Sequence, residues 1–112
     1  MNIQIFGKSK SFDTKKAERW FKERRIKYQY IDLVSKGVSP GEYRSIRAAV
    51  GSFDALVDKD CRAYEALYVA YITPRAAEEK LLEHPELFAA PIVRNGKQAT
   101  VGYCPEIWQT WE

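Results

Sequence analysis

The sequence predicts a single α/β domain built on a mixed four-stranded sheet with helices on its faces. Three observations carry that prediction. Residues 2–33 read as strand, helix, strand, which implies two parallel strands joined by a right-handed crossover. Residues 91–101 read as a hairpin around Asn95-Gly96, which adds two antiparallel strands. Between these blocks, cap-then-proline signals open helices, and helices packed on a sheet are the natural burial for both. A chain of 112 residues suits one domain, and 46% hydrophobic residues with 13% aromatics supply a core without staples.

The elements follow in order. Residues 2–6 form a short first strand with Ile3, Ile5 and Phe6 apolar. Residues 7–12 are a polar loop containing Gly7, Ser9 and Ser11. A helix starts near Asp13, a favoured N-cap type, and Ala17, Trp20 and Phe21 give it an apolar stripe. Residues 27–33 suit a second strand through Tyr28, Tyr30, Ile31 and Leu33. Ser39-Pro40-Gly41-Glu42 has capping-box spacing with proline at the first helical position, and Gly51 ends that helix after Val50. Residues 52–72 read as helical with a break at 58–60. Thr73-Pro74 opens another helix, which Pro85 ends after His84. In the hairpin, Asn95 and Gly96 suit the two central positions of a type I′ turn, since both tolerate positive φ. Cys104-Pro105 starts a last short helix holding Ile107, Trp108 and Trp111.

Composition excludes several function classes. No apolar run approaches the ~20 residues of a membrane span, so no membrane partner is expected. No basic-then-apolar leader is read, and Cys61 and Cys104 lie far apart without implying a disulfide. A reducing cytoplasm is the simpler expectation. Cys61, His84 and Cys104 lack metal-ligand spacing, so no metal is expected. Gly7-Lys8-Ser9 resembles the end of a phosphate-binding P-loop, but the required earlier glycine is Asn2. Charge is uneven. Residues 1–27 hold nine of the 18 basic residues and three acids, a local +6, while the remainder carries −3. Either this is a solvated helix face, or it is a local field for an anion or acidic partner. No nucleic-acid motif accompanies it, so direct nucleic-acid binding is not expected. The tryptophans and tyrosines fit packing better than a stacking platform.

Two blocks carry a family resemblance. Ile5-Phe6-Gly7, the Ser/Lys loop and Asp13-Thr14-Lys15-Lys16-Ala17 form the first. Pro91-Ile92-Val93-Arg94-Asn95-Gly96-Lys97, followed by Val101-Gly102-Tyr103, forms the second. Together, at this spacing, they resemble the arsenate reductase (ArsC)/Spx/YffB-like family across nearly the whole chain. The resemblance implies a thioredoxin-like fold, with a reactive cysteine before the first helix and a cis-proline facing it from the third strand. By position the nucleophile site is Ser11, the cis-proline is Pro91, and the second cysteine of Spx-type CxxC pairs falls at Thr14. The resemblance places anion or thiol-ligand binding at Gly7, Lys8, Lys10, Thr14, Arg94 and Gly102. Lys8 and Lys10 add positive charge to a loop that opens a helix N-terminus.

The departures from that family narrow its chemistry. Arsenate reductases carry arginine before the cis-proline, where this chain has Ala90; Asp58 stands about where another oxyanion-binding arginine is expected, and none occurs around Tyr103. Arsenate is therefore not expected as a substrate. A thiol near a helix N-terminus is stabilised as thiolate, whereas serine forms no disulfide and needs a general base to attack. The only histidine, His84, lies far from Ser11 in sequence. Cys104 is a candidate secondary thiol. Expected to cap the last helix near the Ser11 loop, it would have a lowered pKa; otherwise it is a half-buried cysteine without a role. Cys61 reads as structural.

The expected function is a thiol-redox relative that lacks its nucleophile and is inactive through position 11. The serine is either natural or a Cys-to-Ser change in a glutathione- or thioredoxin-linked reductase, and both stay open. No bound cofactor is expected; glutathione or another small thiol or anion is the implied ligand. The competing expectation is an Spx-like regulator that contacts RNA polymerase, for which the basic first helix supplies a surface. A monomer is expected.

Overall fold

Ile3 and Ile5 face one side of the first strand and Phe6 the other, and this alternation places a core on each side of the sheet. The computed structural model describes residues 2–111. Strand β1 (Ile3–Gly7) is followed by helix α1 (Phe12–Glu23), strand β2 (Tyr28–Asp32) and the short helix α2 (Leu33–Lys36). Helices α3 (Pro40–Val50), α4 (Arg62–Ala66) and α5 (Pro74–Glu83) come next, with 3₁₀ turns at Asp54–Leu56, Val69–Tyr71 and Pro85–Leu87. Strands β3 (Ile92–Asn95) and β4 (Gln98–Val101) and helix α6 (Pro105–Trp108) complete the chain. The sheet order is β2-β1-β3-β4. β1 pairs parallel with β2 and antiparallel with β3, with Phe6 opposite Ile92, and β3 pairs antiparallel with β4. The predicted mixed four-stranded sheet is present.

One core joins Ile3, Ile5 and Val93 to Ala17, Trp20 and Phe21 of α1 and to Trp108 and Trp111. Its rings meet edge-on or tilted, with Trp20 and Phe21 4.9 Å apart and Phe21 and Trp108 5.1 Å apart. The other core joins Phe6 and Ile92 to Leu33, Tyr43, Ile46, Leu81, Leu87, Phe88 and their neighbours from the inserted helices. Among the described residues, no helix is long and apolar enough to cross a membrane.

Four local expectations are corrected. Helix α1 is capped by Ser11, not Asp13: Ser11 Oγ accepts the Thr14 N–H, and Asp13 lies inside the first turn. Leu33 starts a helix rather than ending a strand, because the Asp32 carboxylate accepts the N–H groups of Val34 and Ser35. Residues 52–72 are not continuous helix. Val57 bridges to Phe88 as extended chain, Asp58 holds the Asp60 N–H in a local turn, and Tyr68 adopts φ +56°, so only short pieces form. The hairpin turns on Gly96-Lys97, since Asn95 pairs with Gln98. Gly96 alone of these residues has positive φ, +60°, the pattern of a type II′ turn with glycine first. The capping box at Ser39 and Glu42 forms as predicted.

Candidate functional site

Five of the sequence-predicted residues gather where β1 hands over to α1. Gly7 ends β1, and the chain turns through residues 8–11, with the Ser11 N–H donating to the Lys8 carbonyl at 3.0 Å. Half-buried Ser11 then caps α1, its Oγ 3.1 Å from the Thr14 nitrogen and its carbonyl 3.2 Å from the Lys15 nitrogen. Thr14 is 1% exposed, and its Oγ1 accepts the Lys8 N–H at 3.3 Å. Gly7 is required by space: a Cβ there would collide with the Thr14 methyl and come within 2.9 Å of the Tyr30 ring. The β1–β3 register sets buried Pro91 beside this end of β1, and the Ala90–Pro91 bond is cis, as expected. The Pro91 carbonyl accepts the Gly102 N–H at 2.8 Å, and Gly102 turns the chain at φ +87°. Gly7, Ser11, Thr14, Pro91 and Gly102 thus occupy one end of the sheet.

Chemically, the Ser11 hydroxyl is an acceptor in a helix cap. No histidine, lysine or carboxylate hydrogen-bonds it among the described residues, and His84 Nδ1 instead lies 3.4 Å from Glu86. Nothing there acts as the base a serine nucleophile needs. The described residues also hold no group of three or more histidines, cysteines or carboxylates suited to a metal ion.

Three candidate residues are placed otherwise than expected. Lys8 does not present its ammonium to the loop. Its Nζ donates to the Glu86 carbonyl at 2.8 Å and lies 3.5 Å from the Asp58 carboxylate, because the inserted segment packs over it. Arg94 lies away from the loop, as two rungs of sheet separate its partner Gln4 from Phe6. Its guanidinium bonds Gln4, Ser45 and the Gly96 carbonyl. Cys104 sits at the N-cap position of α6 but makes no side-chain cap, and its Sγ donates to the Val101 carbonyl at 3.3 Å. Burial above all, helped by the charges of Glu106 and Asp13, pushes its pKa up, opposite to the lowering a capping thiol would show and in keeping with the half-buried alternative. Lys10 is exposed and makes no ion pair among the described residues.

A model of the ArsC family matches residues 6–111. The chain belongs to the ArsC family. It is 28% identical over 106 residues to the global transcriptional regulator Spx 2 of Oceanobacillus iheyensis, a match that covers 92% of this chain and 78% of that one. Its fold is similar to that of a putative ArsC family related protein from Bacteroides fragilis. There the TM-score is 0.89 at 19% identity, covering 100% of this chain and 98% of the other. An arsenate reductase from Vibrio cholerae is similar at TM-score 0.84 and 22% identity, covering 96% and 94%. The ArsC-family fold is therefore thioredoxin-like, in agreement with the sequence.

Within this ArsC-family site, sequence reasoning missed two features. One is the tie from Lys8 to Glu86 and Asp58, whose partners lie 78 and 50 residues away, so no local pattern announces it. The other is Phe12, the first residue of α1, which is 82% exposed. Its place before the stripe of Ala17, Trp20 and Phe21 could have shown that it faces outward, since it falls off that face at helical spacing.

Proposed function

We propose that this ArsC-family protein works by binding a partner and not by thiol–disulfide turnover at position 11. The observation that carries this reading is the Ser11 hydroxyl, committed to the Thr14 N–H with no base beside it. A thiol at a helix N-terminus is stabilised as thiolate by the dipole and the free N–H groups; a hydroxyl is far too weak an acid to gain from the same field. Lys8, neutralised by Asp58 and a backbone carbonyl, adds little positive field for an anionic substrate. The raised pKa of Cys104 supports no replacement thiolate nearby. Similarity to a protein described as a global transcriptional regulator supports a regulatory partner, and the Spx resemblance makes RNA polymerase the first to test.

A second reading is a glutathione- or thioredoxin-linked reductase whose cysteine has become serine, and the fold of the site favours it to one extent. The cap geometry at Ser11 is that in which a cysteine would gain acidity. Substituting Ser11→Cys is expected to install a thiol with a pKa about one unit or more below the free value of about 8.5. Peptide mapping after exposure to glutathione disulfide should then find glutathione on position 11. The serine protein should show no reductase activity that Ser11→Ala abolishes; such activity would sink the partner-binding reading. Purified RNA polymerase retained by the serine protein would favour the regulator. An ordinary thiol pKa in Ser11→Cys would remove the latent-reductase reading.

A further inference from the structure

Helix α1 turns Thr14, Ala17, Trp20 and Phe21 into the core. With 3.6 residues per turn, the opposite side presents Phe12, Lys15, Arg19 and Lys22, all exposed. Of the helix's three acids, exposed Glu23 lies on this side and makes no ion pair among the described residues. Asp13 pairs with Lys16 at 3.9 Å, and Glu18 accepts the Tyr28 hydroxyl at 3.0 Å. Lys15, Arg19 and Lys22 make no ion pair among the described residues. Three cations against Glu23 leave this side net positive, within a segment that is +6 while the rest of the chain is −3. Phe12 heads it with 82% of its surface in water. A merely solvated basic face gains nothing from an open phenyl ring, whereas a docking face gains an apolar anchor beside its charges.

We propose that this face of α1 docks an acidic segment of a protein partner, with carboxylates against Lys15, Arg19 and Lys22 and an apolar side chain over Phe12. Charge complementarity names the partner's sign. The ring favours a protein segment: it gives an apolar side chain a contact, while a single nucleic-acid strand would find no succession of aromatics to stack on. Twelve residues of helix span roughly 18 Å, the length of a short acidic helix or strand. The inference deepens the partner-binding reading and rests on it only for the existence of a partner.

The test is titration of the full chain with a synthetic peptide that alternates glutamate pairs with single leucines, followed by backbone amide NMR. Shifts are expected along α1 and the preceding loop, with affinity that falls as salt rises. The double variant Lys15→Glu/Arg19→Glu and the charge-neutral variant Phe12→Ala should each weaken binding roughly tenfold. Both act at exposed positions, and dispersed spectra will verify that they fold. The control Arg44→Glu/Arg62→Glu, on α3 and α4, should leave binding unchanged. Wild-type affinity in Phe12→Ala, or shifts spread over every cationic surface, would overturn the proposal. So would displacement of the peptide by a single-stranded DNA oligonucleotide that shifts the same amides, which would assign the face to nucleic acid. Failure here leaves the position 11 results untouched, so the two readings fail separately.

Discussion

Gly7 has room for a hydrogen and nothing larger. The Thr14 methyl and the Tyr30 ring close over its α-carbon, and Thr14 is 1% exposed, so neither the loop nor the helix start yields easily. Gly7→Ala is expected to lower stability by about 1–3 kcal/mol through overpacking. Urea unfolding measures this directly. Thr14→Ser removes the clashing methyl while keeping the hydroxyl that accepts the Lys8 N–H. In that background the cost of Gly7→Ala should shrink, a coupling of about 1 kcal/mol between touching residues. Equal costs in both backgrounds would mean that Tyr30, not Thr14, sets the limit. Ser11 is a residue-scale case of another kind. The sequence marked the position through the family resemblance, yet its cap role became visible only once Thr14 was placed one turn on.

At the scale of elements, the inserted segment is tied to the site loop by one side chain. Lys8, with its side chain 19% exposed, reaches the Glu86 carbonyl in the 3₁₀ turn Pro85–Leu87 and the Asp58 carboxylate in the loop after the turn Asp54–Leu56. Both partners lie beside the short ladder in which Asp58 N–H donates to the Leu87 carbonyl and Ala89 N–H to the Leu56 carbonyl. Lys8→Met keeps the apolar stem and removes the donor. We expect a loss of about 1–2 kcal/mol, since charge-assisted bonds exceed neutral ones but this pair is partly solvated. Faster amide hydrogen exchange should appear at Asp58 and Ala89 before it appears in β1. Unchanged exchange there would show that the apolar contacts of Leu56, Leu87 and Phe88 hold the segment unaided. This tie explains why Lys8, expected to bind an anion or thiol ligand at the loop, points elsewhere. Its nearness to Ser11 in the chain said nothing about the direction of a long flexible stem.

For the whole molecule, two tyrosines tie stability to alkaline pH. Burial, followed by the hydrogen bond and charge of Glu18, pushes Tyr28 up to about 12 from 10.0. Tyr43, 4% exposed and with no hydrogen-bond partner for its hydroxyl, is also raised, by burial first and then by the Glu78 charge. Raised folded values mean that the native state holds these protons more tightly than the unfolded chain. Their stabilisation is complete below the unfolded value near 10 and is lost as pH climbs through the folded one. Urea midpoints should therefore be insensitive to these groups at neutral pH and fall between pH about 10 and about 12. Tyr28→Phe should flatten part of that fall; an unaltered profile would remove Tyr28 as a contributor.

The sequence by itself determined the sheet, the helix order and the family. These rest on local or repeated signals: apolar alternation in Ile3 and Ile5, the capping box at Ser39, proline after Thr73, and two family blocks at fixed spacing. The family resemblance pointed to the Ser11 loop, the cis-proline and Gly102, and the strand pairing of the structure brings them to one end of the sheet. Only the tertiary structure decided where long side chains point and what burial does to their acidity. Arg94 belongs to the family block in sequence, yet its guanidinium is bound by Gln4 of β1 and Ser45 of α3, away from the loop. Cys104 stands at a helix start, where a dipole favours the thiolate, yet a half-buried position near Glu106 and Asp13 favours the thiol. The helical spacing of Ala17, Trp20 and Phe21 already turns Phe12 outward, but only the packed fold leaves its ring 82% exposed. Charge and apolar pattern are written residue by residue, but the field at a group depends on neighbours that the fold brings from far along the chain.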